Sequence, residues 1–278
     1  MHKKILFILL LAHTVIQAKL NIIASILPEQ KFIESIGGEY VQVALMVKPG
    51  NSPHTYEPKP SQMKDISRAD LYLSIGVEFE KVWLPKFANQ NQHMKIIDIS
   101  QGIKKLPVSS HDTHATKHLD PHIWTSPLYT KHLAKNILTA LVDADPSHQA
   151  TYEKNYHAFI QKVEETDQQI QQTLSALPEE RKSFIVFHPS WGYFAKQYGL
   201  IQIPIEIDGK APKPRAVQKL ITKARALHIH TVLTSPEFSD SIAKQIANEL
   251  DIKVLKISPL NPNWSQNLQN LAKVISNN

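Results

Sequence analysis

The sequence predicts an α/β protein of two lobes, each a four-stranded, mainly parallel sheet with flanking helices, joined by one long rigid helix. Three observations predict it. Segments rich in β-branched residues alternate with helical ones, which is the signature of βαβ units and a parallel sheet. The alternation runs through the first half of the chain and repeats in the second. Between the halves lies one amphipathic stretch longer than a single crossover needs.

Taken in order, 19–26 reads as the first strand and 28–36 as a short helix stopped by Gly37 and Gly38. Strands follow at 41–47, 71–75 and 95–99, with helices at 61–69, capped by Ser61, and at 80–89. A polar loop over 102–117 leads to two helical stretches, 127–142 and 146–177. Ser126 and Pro127 start the first of them, as N-cap and first helical residue. In the second, Tyr152, Tyr156, Phe159, Val163, Ile170, Leu174 and Leu177 recur at spacings of three, four and seven, so one face is buried along its length. At 1.5 Å per residue it would run roughly 45 Å. That reads as a rigid spine between two lobes, with a peripheral helix of one large domain as the alternative. The remainder gives strands at 183–187, 201–207, 231–235 and 253–257, and helices at 191–198, 214–227, 239–250 and 265–276.

Length and composition agree. A chain of 278 residues suits two domains of ordinary size. The expected boundaries are 19–145 for the first lobe, 146–178 for the linking helix and 179–278 for the second lobe. Hydrophobic content of 42% and charged content of 20% are those of a globular chain with a packed core. Residues 1–18 stand apart. Lys3 and Lys4 precede the apolar run 5–12, and Ala18 offers a small residue for cleavage, the layout of a secretory signal, with Ile16 as an imperfect −3 residue. No cysteine follows to carry a lipid, so the expected location is the periplasm, free in solution. The absence of cysteine throughout also excludes disulfides, thiol nucleophiles and thiolate metal sites. The net charge of +6 loses two units with Lys3 and Lys4, and the remaining lysines are scattered without an aromatic-interleaved stripe. Nucleic acid is therefore not an expected partner.

Ligands of open α/β sheets bind on the loops beyond the carboxyl ends of strands. Three histidines lie on such loops: His54 after the second strand, His122 after the fourth and His188 directly after the fifth. Two belong to one lobe and one to the other, so a shared ion would sit between the lobes. Three neutral imidazoles suit zinc, and suit the harder manganese less well. Prolines beside each histidine stiffen these loops, Asp120 is close enough to accept a second ring N–H, and Trp124, Trp191 and Tyr193 could wall the site from water.

Three segments carry a resemblance to a known family. Pro53-His54-Thr55-Tyr56-Glu57-Pro58, Asp120-Pro121-His122-Ile123-Trp124-Thr125-Ser126-Pro127 and Phe187-His188-Pro189-Ser190-Trp191-Gly192-Tyr193-Phe194 resemble the signature loops of the metal-binding receptors of bacterial ABC importers (cluster A-I), in their zinc-uptake, ZnuA-like branch. The resemblance implies two lobes joined by one stiff helix, zinc bound in the cleft by His54, His122 and His188, and delivery by a monomer to a membrane permease with its ATPase. A Glu at the third position would imply the manganese branch; this chain has His188.

One position departs from the pattern. Many relatives carry Asp before a Pro-Leu pair near the last strand, where this chain has Ser258 before Pro259 and Leu260. The fourth ligand is left open between water and a carboxylate such as Glu206, Asp208 or Glu237. The polar loop holds His111, His114 and His118, which either gather metal weakly or are incidental to a solvated linker. The alternatives are a manganese or iron receptor of the same family and a three-histidine zinc hydrolase. The hydrolase would need a general base, and the only carboxylates on the ligand loops themselves are Glu57 and Asp120.

Overall fold

The structure is a computed structural model that describes residues 19–108, 119–206 and 210–277. The first sheet is built from β1 (Leu20–Ala24), β2 (Val41–Leu45), β3 (Leu71–Ser74) and β4 (Lys95–Asp98), in the order β2-β1-β3-β4 with every pair parallel. Helices α1 (Leu27–Gly37), α2 (Pro60–Arg68) and α3 (Glu78–Gln90) make its crossovers. The second sheet repeats the plan. Its strands β5 (Ser183–Val186), β6 (Ile201–Pro204), β7 (Val232–Thr234) and β8 (Val254–Lys256) run in the order β6-β5-β7-β8, again all parallel. Helices α6 (Gly192–Gln197), α7 (Pro214–Ala226) and α8 (Ser241–Leu250) connect them. Between the sheets run α4 (Pro127–Ala144) and α5 (Gln149–Leu174), and α9 (Trp264–Asn277) closes the chain. The central strands β1 and β3 are covered on both faces, which is why they read as continuous apolar runs rather than alternating ones.

Several boundaries differ from the sequence reading, each for a local reason. Helix α2 begins at Pro60, not after a Ser61 cap. Gln62 caps it instead, its Oε1 accepting the Lys59 N–H at 3.0 Å. Helix α3 starts at Glu78, two residues earlier than expected, and carries Pro85 in its interior. Ser126 does occupy the N-cap position of α4, but its hydroxyl donates to Gln197 Oε1 (2.5 Å) and not to its own helix. The stretch expected as one helix from 146 is broken: a 3₁₀ turn, Pro146–His148, precedes α5. Asp145 holds that turn by accepting bonds from Ser147, His148 and Tyr152.

Helix α5, 26 residues long, is no bare strut. It packs on α1 and α4 and equally on α9. Phe159 meets Phe32 of α1 with ring centroids 5.3 Å apart, and Phe32 in turn meets Trp264 of α9 edge-on at 5.7 Å. Each fully buried side chain of this size contributes roughly 1.5–3 kcal/mol. One apolar core thus runs from Ile22 in β1 through Tyr152 and Val163 to Ile275 in α9. A smaller second core lies between the second sheet and helices α7 and α8. Among the described residues no helix is long and apolar enough to cross a membrane.

Candidate metal centre

The carboxyl ends of both sheets face one cleft. His54, Glu78, His122 and Trp124 approach it from the first sheet's side, and His188 and Glu237 from the second. Each histidine offers a ring nitrogen, and the three nitrogens lie within 4.8 Å of one another. The ring centroids are 4.4 Å apart for His54 and His188, 5.2 Å for His122 and His188, and 5.9 Å for His54 and His122.

His54 sits in the loop between β2 and α2. The loop is tied down at Pro53, whose carbonyl accepts the Phe79 N–H at 3.3 Å, and at Tyr56, whose hydroxyl donates to Gln62 Oε1 at 2.5 Å. Gln62 donates in turn to the Leu45 and Met46 carbonyls at the end of β2. The Nδ1 of His54 lies 3.0 Å from Glu78 Oε2, at the first residue of α3. Burial raises the Glu78 pKa, but contact with His54 and the charges of His54 and His122 outweigh it and bring it down to about 2.

His122 is held most tightly. Asp120 Oδ1 accepts both its backbone N–H (2.9 Å) and its Nδ1 (2.7 Å). The Asp120 carbonyl accepts the Tyr193 hydroxyl at 2.8 Å, so α6 of the second lobe props the loop of the first. Trp124, buried beside His122, donates from its indole to the Pro259 carbonyl at 2.8 Å, while its own carbonyl accepts the Trp264 indole at 2.6 Å.

His188 follows β5. Its Nδ1 lies 2.6 Å from Glu206 Oε2, and its ring stacks on Phe238 at 4.9 Å. Its Nε2 is buried with no hydrogen-bond partner among the described residues. Burial lowers its pKa to about 4, aided by His122 and His54 and opposed by Glu206. At neutral pH the ring is therefore neutral, with Nδ1–H on Glu206 and the Nε2 lone pair free.

All three Nδ1 atoms thus face a carboxylate: Glu78, Asp120 and Glu206. At His122 and His188 the contact is a hydrogen bond that fixes ring orientation and raises the basicity of Nε2, whereas Glu78 Oε2 stands at ion-pair distance from His54 without a hydrogen bond among the described residues. Glu206, open as a ligand from the sequence, serves as the His188 partner. Ser258 donates to Glu237 Oε1 at 2.7 Å. Trp124 lines the cleft as expected, whereas Trp191 lies behind His188 in a separate hollow and Tyr193 braces a backbone instead of walling the site. Asp208, His111, His114 and His118 lie outside the described residues. Sequence reading missed Glu78; the signal available was its place just beyond β3, on the same strand-end rule that found the histidines. Glu206 was considered only as a ligand to the ion and not as support for His188, and of the two carboxylates on the ligand loops themselves Asp120 meets a histidine whereas Glu57 is exposed.

Comparison with known proteins agrees with this architecture. Residues 22–278 match the family model of the periplasmic zinc-uptake complex component A, ZnuA. The high-affinity zinc uptake system protein ZnuA of Bacillus subtilis (strain 168) is 29% identical over 257 residues, covering 87% of this chain and 79% of that one. The iron-binding protein YfeA of Yersinia pestis is 29% identical over 234 residues, covering 83% and 74%. A crystal structure of ZnuA, 41% identical, superposes with a TM-score of 0.88 over 94% of this chain and 99% of that one. On that match the chain belongs to the ZnuA family, the extracytoplasmic metal-binding receptors of ABC importers, which are transport components and not enzymes.

Proposed function

We propose that the protein captures Zn²⁺ in the interlobe cleft through the Nε2 atoms of His54, His122 and His188, and delivers it as a monomer to an importer permease and its ATPase. The observation that carries this reading is the set of three imidazole–carboxylate pairs, His54 with Glu78, His122 with Asp120 and His188 with Glu206. A neutral three-nitrogen donor set suits zinc. Manganese, which prefers oxygen donors, is served less well. The iron-binding relative keeps a second reading in view, a receptor for iron or manganese. In this proposal residues 1–18 are a signal that directs the chain to the periplasm. Residues 19–145 and 179–278 are the two lobes, and 146–178 is the stiff link between them.

Calorimetric titration of residues 19–278 with Zn²⁺ tests the site. One tight site is expected, abolished or greatly weakened in His188→Ala. Equal zinc binding by His188→Ala would mean that the three histidines do not form one site. Competition with Mn²⁺ and Fe²⁺ tests the choice of metal: displacement of zinc at equimolar manganese would overturn the zinc assignment.

A further inference from the structure

We propose that Glu237 supplies the fourth protein ligand to the ion and that Ser258 is the residue that positions it. This inference rests on the three-histidine reading of the cleft. Glu237 stands three residues beyond β7 and lines the same cleft as the histidines. Its two oxygens differ. Oε1 accepts the Ser258 hydroxyl at 2.7 Å. Oε2 is buried and has no hydrogen-bond partner among the described residues. A carboxylate oxygen shut away from water and left unpaired is unfavourable unless a cation or donor meets it. Two other orphaned buried atoms belong to residues lining the cleft: Glu78 Oε2, which lies 3.0 Å from His54 Nδ1, and His188 Nε2, a lone pair with the same need as Glu237 Oε2. A divalent cation bound between Glu237 Oε2 and His188 Nε2 satisfies these two.

Ser258 is built as a clamp. Its Oγ accepts the Leu260 N–H at 3.0 Å, which directs its own proton to Glu237, and its carbonyl accepts the Asn267 side-chain N–H at 2.9 Å. Phe238, next to Glu237, stacks on the His188 ring, so the loop carrying the carboxylate is registered against the ligand it joins. Among the described residues, the ligand atoms within 4.8 Å of one another are those of the three histidines. Glu237 therefore swings inward about its Ser258 anchor as the ion arrives, and closes a tetrahedral site of three nitrogens and one oxygen. No bond in the protein is made or broken; one carboxylate charge offsets part of the charge on the ion. A closed four-ligand site also suits a carrier, because metal sites that perform chemistry keep one position open for water.

Cobalt(II), whose visible absorption reports coordination number, tests this on residues 19–278 with azide as an external ligand. The wild-type complex is expected to be four-coordinate and unchanged by azide. Glu237→Gln and Glu237→Ala are expected to bind Co²⁺ at least about tenfold more weakly, with spectra that shift when azide is added. Ser258→Ala is expected to lie between. If wild type responds to azide as the variants do, or if both Glu237 variants match its affinity and spectrum, the fourth ligand is not Glu237. His188→Ala separates the two claims: loss of cobalt in that variant alone leaves the three-histidine site standing and removes only Glu237, whereas a wild-type spectrum in His188→Ala removes the site itself.

Discussion

Gly192 lies so close to Asp120 that a β-carbon there would stand 2.7 Å from Asp120 Oδ2. The glycine opens α6 in the second lobe; the aspartate orients His122 in the first. Adding a side chain at 192 therefore pushes on the carboxylate that fixes His122, across the lobe boundary.

For Gly192→Ala the expected result is a loss of zinc affinity of about 10–100-fold, the usual effect of disturbing a ligand's hydrogen-bond partner. The fold survives, because the clash falls on one side-chain oxygen and not on a backbone. Calorimetry and a thermal melt on the same sample check both halves. Unchanged affinity would mean that Asp120 yields without moving His122.

The three carboxylates differ in how firmly they grip, and this sets a rank order. Glu206 is 8% exposed and 2.6 Å from its histidine, whereas Glu78 is 36% exposed and 3.0 Å away. Glu206→Gln can also present its amide N–H to His188 Nδ1 and invert the tautomer, moving the lone pair off Nε2. Zinc affinity should therefore fall further in Glu206→Gln than in Glu78→Gln. Dissociation constants for the two variants at pH 7.5 decide it, and the reverse order would show that buried geometry does not govern the effect.

Much of this was legible in the sequence because it is periodic. Strand–helix alternation and the α5 stripe of Tyr152, Phe159, Val163 and Ile170 follow from spacing alone, and His54, His122 and His188 follow from lying beyond strand ends. What was not legible depends on partners distant in the chain. Glu78 is 24 positions from His54 in sequence, and Glu206 stays open as a ligand until its atom is found on the Nδ1 side of His188. The break before α5 was hidden for a similar reason. Pro146 looks like a helix start, and only the bonds that Asp145 accepts from His148 and Tyr152 turn it into a separate 3₁₀ turn.

The Trp124 indole donates across the cleft to the Pro259 carbonyl, and the Trp264 indole donates to the Trp124 carbonyl. With α5 packed on α9 and α1, this stitch opposes opening of the lobes. Trp124→Phe keeps most of the apolar contact and removes the donor, leaving the half-buried Pro259 carbonyl short of a partner, a loss of about 1 kcal/mol. The variant should melt earlier and exchange the amide of Leu260 faster, as read by hydrogen exchange. A wild-type melt and exchange pattern would show that the shared core alone holds the lobes.

Two buried groups make metal-free stability depend on pH in opposite directions. Burial raises Glu80 from 4.5 to about 7, against the bonds it accepts from Ser25 and the Ile75 and Gly76 amides. Its folded form holds a proton that the unfolded chain releases, so its contribution is full below pH 4.5 and is lost as pH rises through about 7. Burial lowers His188 from 6.5 to about 4. There the unfolded chain binds the proton first, so stability is full above pH 6.5 and is lost as pH falls toward 4. Each shift amounts to on the order of 3 kcal/mol, and between pH 4.5 and 6.5 they oppose each other. Glu78, held near 2, acts below this window. In EDTA, Glu80→Gln should therefore make stability rise with pH across 4.5–6.5 relative to wild type, and His188→Asn should make it fall. Urea midpoints at three pH values measure both slopes. Because the variants tilt the profile in opposite senses, a shared drift in the unfolded state cannot imitate the pair, and parallel profiles for all three chains would refute both shifts at once.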